Sequence, residues 1–338
     1  MLKIDVYNHF FPAAFFERML EIAGGFKDIG KRVRGVPAIH DLYIRLGQMD
    51  QFGDYVQVLS LPGPPIEALA KGAQAAELAR IGNDGLAALV ARHPDRFPGF
   101  VASVAMDNVE EACREASRAV RELGAWGVQI YTNVNGEAPD APKYLPYFET
   151  AAALDRPIWV HPYRGASFPD FLKEDRSHYE IWWTLGWPYE TSAFMARLVF
   201  SGLFDRLPGL KIITHHLGGM IPYFEGRVGP GWDQLGARTS DEDLTQVLKR
   251  LKRRPLDYFR DFYADTAVFG AAPATECGLK FFGADKVLFA SDSPFDPEKG
   301  TMYIRETIRV IDSLDISAAD RRKIYRENAE RLCGVKVG

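Results

Sequence analysis

The chain has 338 residues, with 41 Lys and Arg against 45 Asp and Glu, a formal charge of −4. That balance excludes the basic surface of a nucleic-acid binder and the acidic block of a disordered tail. Hydrophobic residues at 47% supply a large core, and no segment approaches the roughly 18 uninterrupted apolar residues of a membrane span.

The start, MLKIDVYNHFFP, lacks a basic region followed by an apolar stretch, so no signal peptide is expected. The first predicted strand is Lys3–Val6. A long connection over Phe11–Leu46 leads to the second, Tyr55–Leu61. An Ala/Leu-rich helical pattern over Ile66–Arg92 stops before His93-Pro94. The third strand is Gly99–Val104, followed by a helix over Asn108–Leu123 that closes on Gly124. The fourth is Gly127–Tyr131, followed by a helix over Leu145–Leu154 with Pro146 in its first turn. Pro157–His161 is the fifth strand. Then comes Pro162–Thr191, which carries Trp182, Trp183 and Trp187, and a helix over Ala193–Phe204. Lys211–His215 is the sixth strand, and a further long segment, Ile221–Leu256, precedes the seventh, Phe262–Thr266. Lys286–Ser291 is the eighth, and an amphipathic helix over Ala318–Leu332 closes the chain.

Most of these strands are nearly continuously apolar, as parallel strands buried on both faces are. The alternation predicts an α/β fold. Eight strands favour one closed (β/α)₈ barrel domain spanning residues 1–338, with an open doubly wound sheet as the alternative. No phosphate-binding glycine motif follows a strand. The long segments are expected either to wall a pocket or to form the interface of a homodimer. Cys113, Cys277 and Cys333 form neither a CxxC pair nor a disulfide framework, so a cytoplasmic protein with reduced thiols is expected.

Catalytic groups of such barrels sit at the C-terminal ends of the strands. Here strand 1 leads into Tyr7-Asn8-His9, strand 5 ends on His161, strand 6 on His215-His216, strand 7 on Asp265-Thr266, and strand 8 on Asp292. A catalytic divalent metal takes about three ligands from His, Asp and Glu. Singly, each residue has a plain structural explanation: a loop or core histidine, or an aspartate forming the turn before Pro294. Closing the barrel brings all of them to one rim. His178, on the Trp-rich segment, is a further candidate for the pocket.

The stretches IDVYNHFFP, MDQFGDYVQVLS, GVQIYT, PIWVHPY, IITHHLGGMIPYFEGR and VLFASDSPF follow one another from residue 4 to 295. In kind and order they resemble the amidohydrolase-2 branch of the amidohydrolase superfamily, which holds aminocarboxymuconate-semialdehyde decarboxylase and related non-oxidative decarboxylases. The resemblance implies a mononuclear site, with Zn²⁺ expected first and Mn²⁺ second. It implies His9, His161 and Asp292 as ligands and His216, rather than His215, as the catalytic histidine of strand 6. Tyr7 departs from the pattern, since its place normally holds His or Glu. A phenol is a poor ligand unless ionised, and its reference pKa is about 10. Tyr7 is therefore expected to bind substrate, with metal ligation or loss of metal as the alternatives.

The reaction so implied is decarboxylation of an aromatic or conjugated carboxylic acid. His216, or Asp292 in its protonated form, would protonate the carbon that loses CO₂. Arg164 would neutralise the substrate carboxylate, with Arg32 and Arg34 able to do the same. A metal-dependent hydrolase or hydratase using activated water is the runner-up, and a non-catalytic ligand-binding barrel stands behind both.

Overall fold

The computed structural model describes residues 1–23 and 28–338. Its centre is one parallel eight-stranded sheet in sequence order: β1 Lys3–His9, β2 Tyr55–Ser60, β3 Gly99–Ser103, β4 Gly127–Tyr131, β5 Ile158–His161, β6 Ile212–Thr214, β7 Tyr263–Asp265 and β8 Val287–Leu288. Each strand pairs in parallel with the next. The eighth strand is short, but the chain beyond it returns to β1. Val6 N–H donates to Phe289 O at 3.0 Å, Asp292 N–H to Tyr7 O at 3.0 Å, and His9 N–H to Ser293 O at 2.8 Å. These bonds complete the (β/α)₈ barrel at its seam.

Two hydrophobic cores follow from this closure. One lies between strands and helices and includes Leu59, Phe100, Val128, Phe148 and Phe289. The other fills the barrel and includes Ile4, Val6, Val58, Val101, Trp159, Ile213 and Leu288. Residues alternate between the two along a strand, which is why the strands read as continuously apolar.

All eight predicted strands are present, with shifts at their ends. β1 runs three residues further than its apolar run, through His9. The helical pattern over Ile66–Arg92 is two helices, Ile66–Leu69 and Gly72–Arg92, because Ala70 is extended and Gly72 takes a φ of 56°. The helix expected over Ala193–Phe204 starts earlier, at Gly186, with Pro188 tolerated in its first turn. It stops at Phe200, and Gly202, at a φ of 76°, separates it from Leu203–Arg206. Part of the long connection Phe11–Leu46 is helical, over Ala13–Ala23 and Asp28–Arg34, and its residues 24–27 lie outside the described residues. Among the described residues no helix is long and apolar enough to cross a membrane.

Gly127 shows how tightly β4 and β5 pack. A Cβ there would lie 2.2 Å from Pro157 O and 2.4 Å from the Trp159 ring. Neither a backbone carbonyl nor an indole wedged in the barrel can retreat. Gly127→Ala is expected to destabilise the protein by roughly 1–3 kcal/mol, read as a lowered denaturant midpoint; an unchanged midpoint would show that the barrel interior is looser than described.

Candidate metal centre

The site begins with an irregularity in β1. Asp5 pairs with Gln57, but Asn8 pairs with Leu59, so β1 has one extra residue between them. Such a bulge re-aims the side chains that follow it. The Val6 carbonyl accepts the indole N–H of Trp159 at 3.0 Å inside the barrel. Beyond the bulge, His9 is fully buried, and its Nε2 lies 3.1 Å from Asp292 Oδ1.

His9, His161, His215 and Asp292 form one buried group, each offering a ligand atom, and those atoms lie within 4.8 Å of one another. The three imidazoles are held in the same way. Ser60 Oγ lies 3.2 Å from His9 Nδ1, Pro162 O lies 2.6 Å from His161 Nδ1, and Asp265 Oδ2 lies 2.5 Å from His215 Nδ1. Ser60 spends its own proton on Asn8 O at 2.7 Å, so it accepts from His9. Each Nδ1 is thereby engaged, which leaves each Nε2 lone pair for the centre. This is how metal-binding histidines are oriented. His215 Nε2 is buried without a hydrogen-bond partner, 3.4 Å from Asp292 Oδ1. An orphaned buried nitrogen, aimed at a carboxylate among other nitrogen donors, fits a divalent cation. The donor types suit Zn²⁺ and Mn²⁺ alike.

Without an ion the group is electrostatically divided. Burial pushes His9 and His161 below the usual imidazole range. Burial acts on His215 as well, but Asp265 and Asp292 outweigh it and lift its pKa to about 9. Burial opposes ionisation of Asp292, yet His215, facing it across 3.4 Å, holds it well below the usual carboxylate range.

His216 stands beside this group. Its Nε2 is 3.6 Å from Asp292 Oδ2, and both ring nitrogens are buried with no partner. Its backbone N–H donates to Asp265 Oδ1 at 3.0 Å. The turn after β6 is strained, with φ of 53° at His216 and 51° at Leu217. Gly219 completes it at a φ of 63°, where a Cβ would lie 2.3 Å from Pro188 O. Burial, then the charge of His215, holds His216 below the usual imidazole range.

His161 and Asp292 open onto a cavity of about 940 Å³. Its walls are aromatic and include Trp182, Trp183 and Trp187 from the long segment after β5. Of the side chains singled out in the sequence for substrate, His178 lines this cavity and is exposed. Arg164 does not line it. Its Nη1 is paired with Glu190 Oε1 at 3.0 Å and its guanidinium stacks over Phe168, so its charge is already met. Arg32 lines the cavity, whereas Arg34 does not. Tyr7 is likewise absent from the lining. Its ring meets the His215 ring edge-on at 4.2 Å, and its buried hydroxyl has no partner. Burial pushes that phenol well above its ordinary pKa, so it stays neutral. It lies buried among the rings of His9, His161 and His215. The residue that sequence reasoning left out of the donor group is His215. The adjacent pair His215-His216 was visible, but which imidazole turned inward depended on Asp265, one strand away.

The amidohydrolase family model matches residues 4–335. The chain belongs to the amidohydrolase family. Among its relatives, the γ-resorcylate decarboxylase of Polaromonas sp. (strain JS666) is 35% identical over 344 residues, covering 98% of each chain. The 2-amino-3-carboxymuconate-6-semialdehyde decarboxylase of Dictyostelium discoideum is 32% identical, covering 87% of this amidohydrolase and 82% of that protein. A crystal structure of the dihydroxybenzoic acid decarboxylase from Polaromonas sp. JS666, with bound manganese and the inhibitor 2-nitroresorcinol, matches with a TM-score of 0.79 at 31% identity. That match covers 98% of this chain and 97% of that one.

The raised pKa of His215 makes a testable statement about the metal-free amidohydrolase. A group held at about 9 when folded and about 6.5 when unfolded stabilises the fold fully below pH 6.5 and loses that contribution as pH rises through 9. His9, His161 and His216 are shifted the other way, so they titrate below this window. After chelation, the urea midpoint should fall between pH 6.5 and 9, and Asp265→Asn should flatten that fall. A midpoint constant across the window in the unaltered protein would contradict the pairing.

Proposed function

We propose that this amidohydrolase is a non-oxidative decarboxylase of an aromatic carboxylic acid, dependent on one divalent metal. The observation that carries the reading is a buried His/Asp donor group opening onto an aromatic-walled cavity. The named relatives, decarboxylases of aromatic or conjugated acids, support it. In this reading His9, His161 and Asp292 hold the ion, with His215 as a fourth donor. Tyr7 packs against that donor and neither ligates nor touches substrate. The ion, when bound, supplies a Lewis acid that fixes the carboxylate or an adjacent oxygen of the substrate.

The protein's own part is to place the ring and move one proton. The flat walls of Trp182, Trp183 and Trp187 hold an aromatic ring in line with His161 and Asp292. As the bond to CO₂ breaks, its electron pair stays on the ring carbon, and a C–H bond must form there. In this reading Asp292 serves as a donor to the ion, and the proton store is the imidazole beside it. His216 is not in the cavity lining itself but lies beside Asp292 and against Trp187 and Phe269, which are, and its two unengaged ring nitrogens support a role in which it takes a proton and returns it to that carbon. Trp187 stacks near it, at 6.5 Å between ring centroids.

For the ion, imidazole and carboxylate donors support Zn²⁺, while the manganese held by the Polaromonas structure supports Mn²⁺. One sheet that begins at Lys3 and reaches Leu288 supports reading the chain as a single domain. Three free cysteines support a cytoplasmic setting. We also propose a homodimer. Phe171, Leu172, Tyr179 and Leu185 on the Trp-rich segment are 60–100% exposed, which is a costly surface for a monomer to leave in water. Light scattering at micromolar concentration should report twice the chain mass, and a monomer would refute this part.

Purified protein should carry about one equivalent of Mn²⁺ or Zn²⁺ and release CO₂ from members of a hydroxybenzoate panel. Turnover of esters or amides alone would sink the decarboxylase reading. His161→Ala and His215→Ala should each lose most of the bound metal, measured by elemental analysis after dialysis, because each removes one of the donors that hold the ion. His216→Asn should keep its metal but lose about 10²–10⁴-fold in kcat. Metal loss in the His216 variant equal to that in the His215 variant would exchange the two roles.

A further inference from the structure

Exposure runs in one direction along the cavity. His161 and Asp292 are buried at its floor, while Lys31, Arg32 and Arg176 line the same cavity and are exposed, which places them at the mouth. We infer that the substrate carries a second anionic group, remote from the carboxylate that is lost, and that Lys31, Arg32 and Arg176 bind it. The inference rests on the decarboxylase reading for what happens at the floor.

Charge at this mouth is uncompensated among the described residues. Surface arginines of this protein commonly have a carboxylate beside them: Arg164 has Glu190, Arg197 has Asp140, and Arg254 has Asp233. Lys31, Arg32 and Arg176 form no ion pair among the described residues. Arg32 is nevertheless fixed in place, donating through Nη2 to the backbone carbonyls of Phe295 and of Asp296, the latter at 3.3 Å. Carbonyls orient a guanidinium without neutralising it. The nearby Asp296 carboxylate is turned away, accepting the backbone N–H of Glu298 at 2.8 Å and of Tyr303 at 3.5 Å. Among the described residues, the one acidic side chain in the lining besides Asp292 is Glu180, and its Oε2 accepts the indole N–H of Trp183 at 2.9 Å. The described residues of the mouth therefore hold three cations against one carboxylate. Such an excess around a concave site attracts and orients anions. A carboxylate held at the floor lies across the aromatic walls from these cations, so they call for a different group of the same molecule. The volume agrees. About 940 Å³ is near the upper end of the roughly 300–1,000 Å³ typical of ligand pockets, so a single ring with one carboxylate would leave much of it to water.

The test compares two ligands that differ only in the distal charge. They are 4-hydroxyisophthalate, a salicylate with a second carboxylate, and its monomethyl ester at that second position. Binding to the Mn²⁺-loaded protein is read from quenching of tryptophan fluorescence, and turnover from CO₂ release. The dianion should bind about tenfold more tightly than the ester, the sum of two or three partly exposed charge pairs. That ratio should shrink at high salt and approach unity in K31A/R176A. Charge reversal in K31E/R176E should favour the ester. Lys31 and Arg176 are exposed and form no ion pair among the described residues, so these variants should keep their circular dichroism and metal content. Equal binding of acid and ester, or a ratio that survives the double variant, overturns the inference. If the dianion preference appears but neither ligand releases CO₂, the decarboxylase reading fails and the anion site stands.

Discussion

The seam between β1 and the residues after β8 is the constraint on which the site depends. His9 and Asp292 are 283 residues apart in the chain and in contact across this seam. Three backbone hydrogen bonds hold it, with donors or acceptors at Val6, Tyr7 and His9 on one side and Phe289, Asp292 and Ser293 on the other. Under it lies the carboxylate of Asp5, which accepts the N–H and Oγ–H of Ser291, the N–H of Tyr7 and the hydroxyl of Tyr55. Burial lifts Asp5 to a pKa of about 6 despite those donors. Arg45, also fully buried, donates to His9 O, Ala38 O and Gln57 Oε1. A network of this kind is worth its desolvation only if all its members are met. Here it fixes the strand end from which His9 projects.

The donor group is a second buried polar assembly, and of a different character. Asp5 and Arg45 are satisfied by the protein itself. The imidazoles of His9, His161 and His215 are met on their outer edges by Ser60, Pro162 and Asp265. Their inner edges face one another. Burial lowers His9 and His161 while Asp265 and Asp292 raise His215, so three imidazoles crowded around one carboxylate hold protons unequally. A cation at the centre removes that inequality, and coupling of this kind between ion, protonation and fold is general for such sites. Tyr7 and His215 are in contact. The first position of the strand 1 motif is a neutral, buried phenol, and an imidazole from β6 lies edge-on to it and faces the donor group.

Floor and wall are supplied by different parts of the chain. The floor comes from strand ends, whose positions the barrel ladder sets to within a hydrogen bond. The wall comes from the long segment after β5 and from the region around Arg32 and Phe295, where no ladder constrains the backbone. Chemistry is thus held by the rigid part, and recognition by the part that can change without opening the barrel.

Much of this was legible in the sequence. Eight apolar runs separated by helical patterns require a parallel sheet covered on both faces, and the strand ends His161, His215-His216 and Asp292 mark its catalytic rim. Local patterning suffices there because strand and helix periodicities are properties of neighbouring residues. Contacts between distant residues were beyond its reach. The bulge in β1, the choice of His215 over His216 for the donor group, the neutralisation of Arg164 by Glu190, and the exposure of Lys31 and Arg176 in one cavity each depend on partners 26 or more residues away or on the shape of the whole barrel. Sequence alone determined which side chains were available at the rim. The tertiary structure decided which of them face one another, because direction and pairing are set by the ladder register and by packing across the barrel.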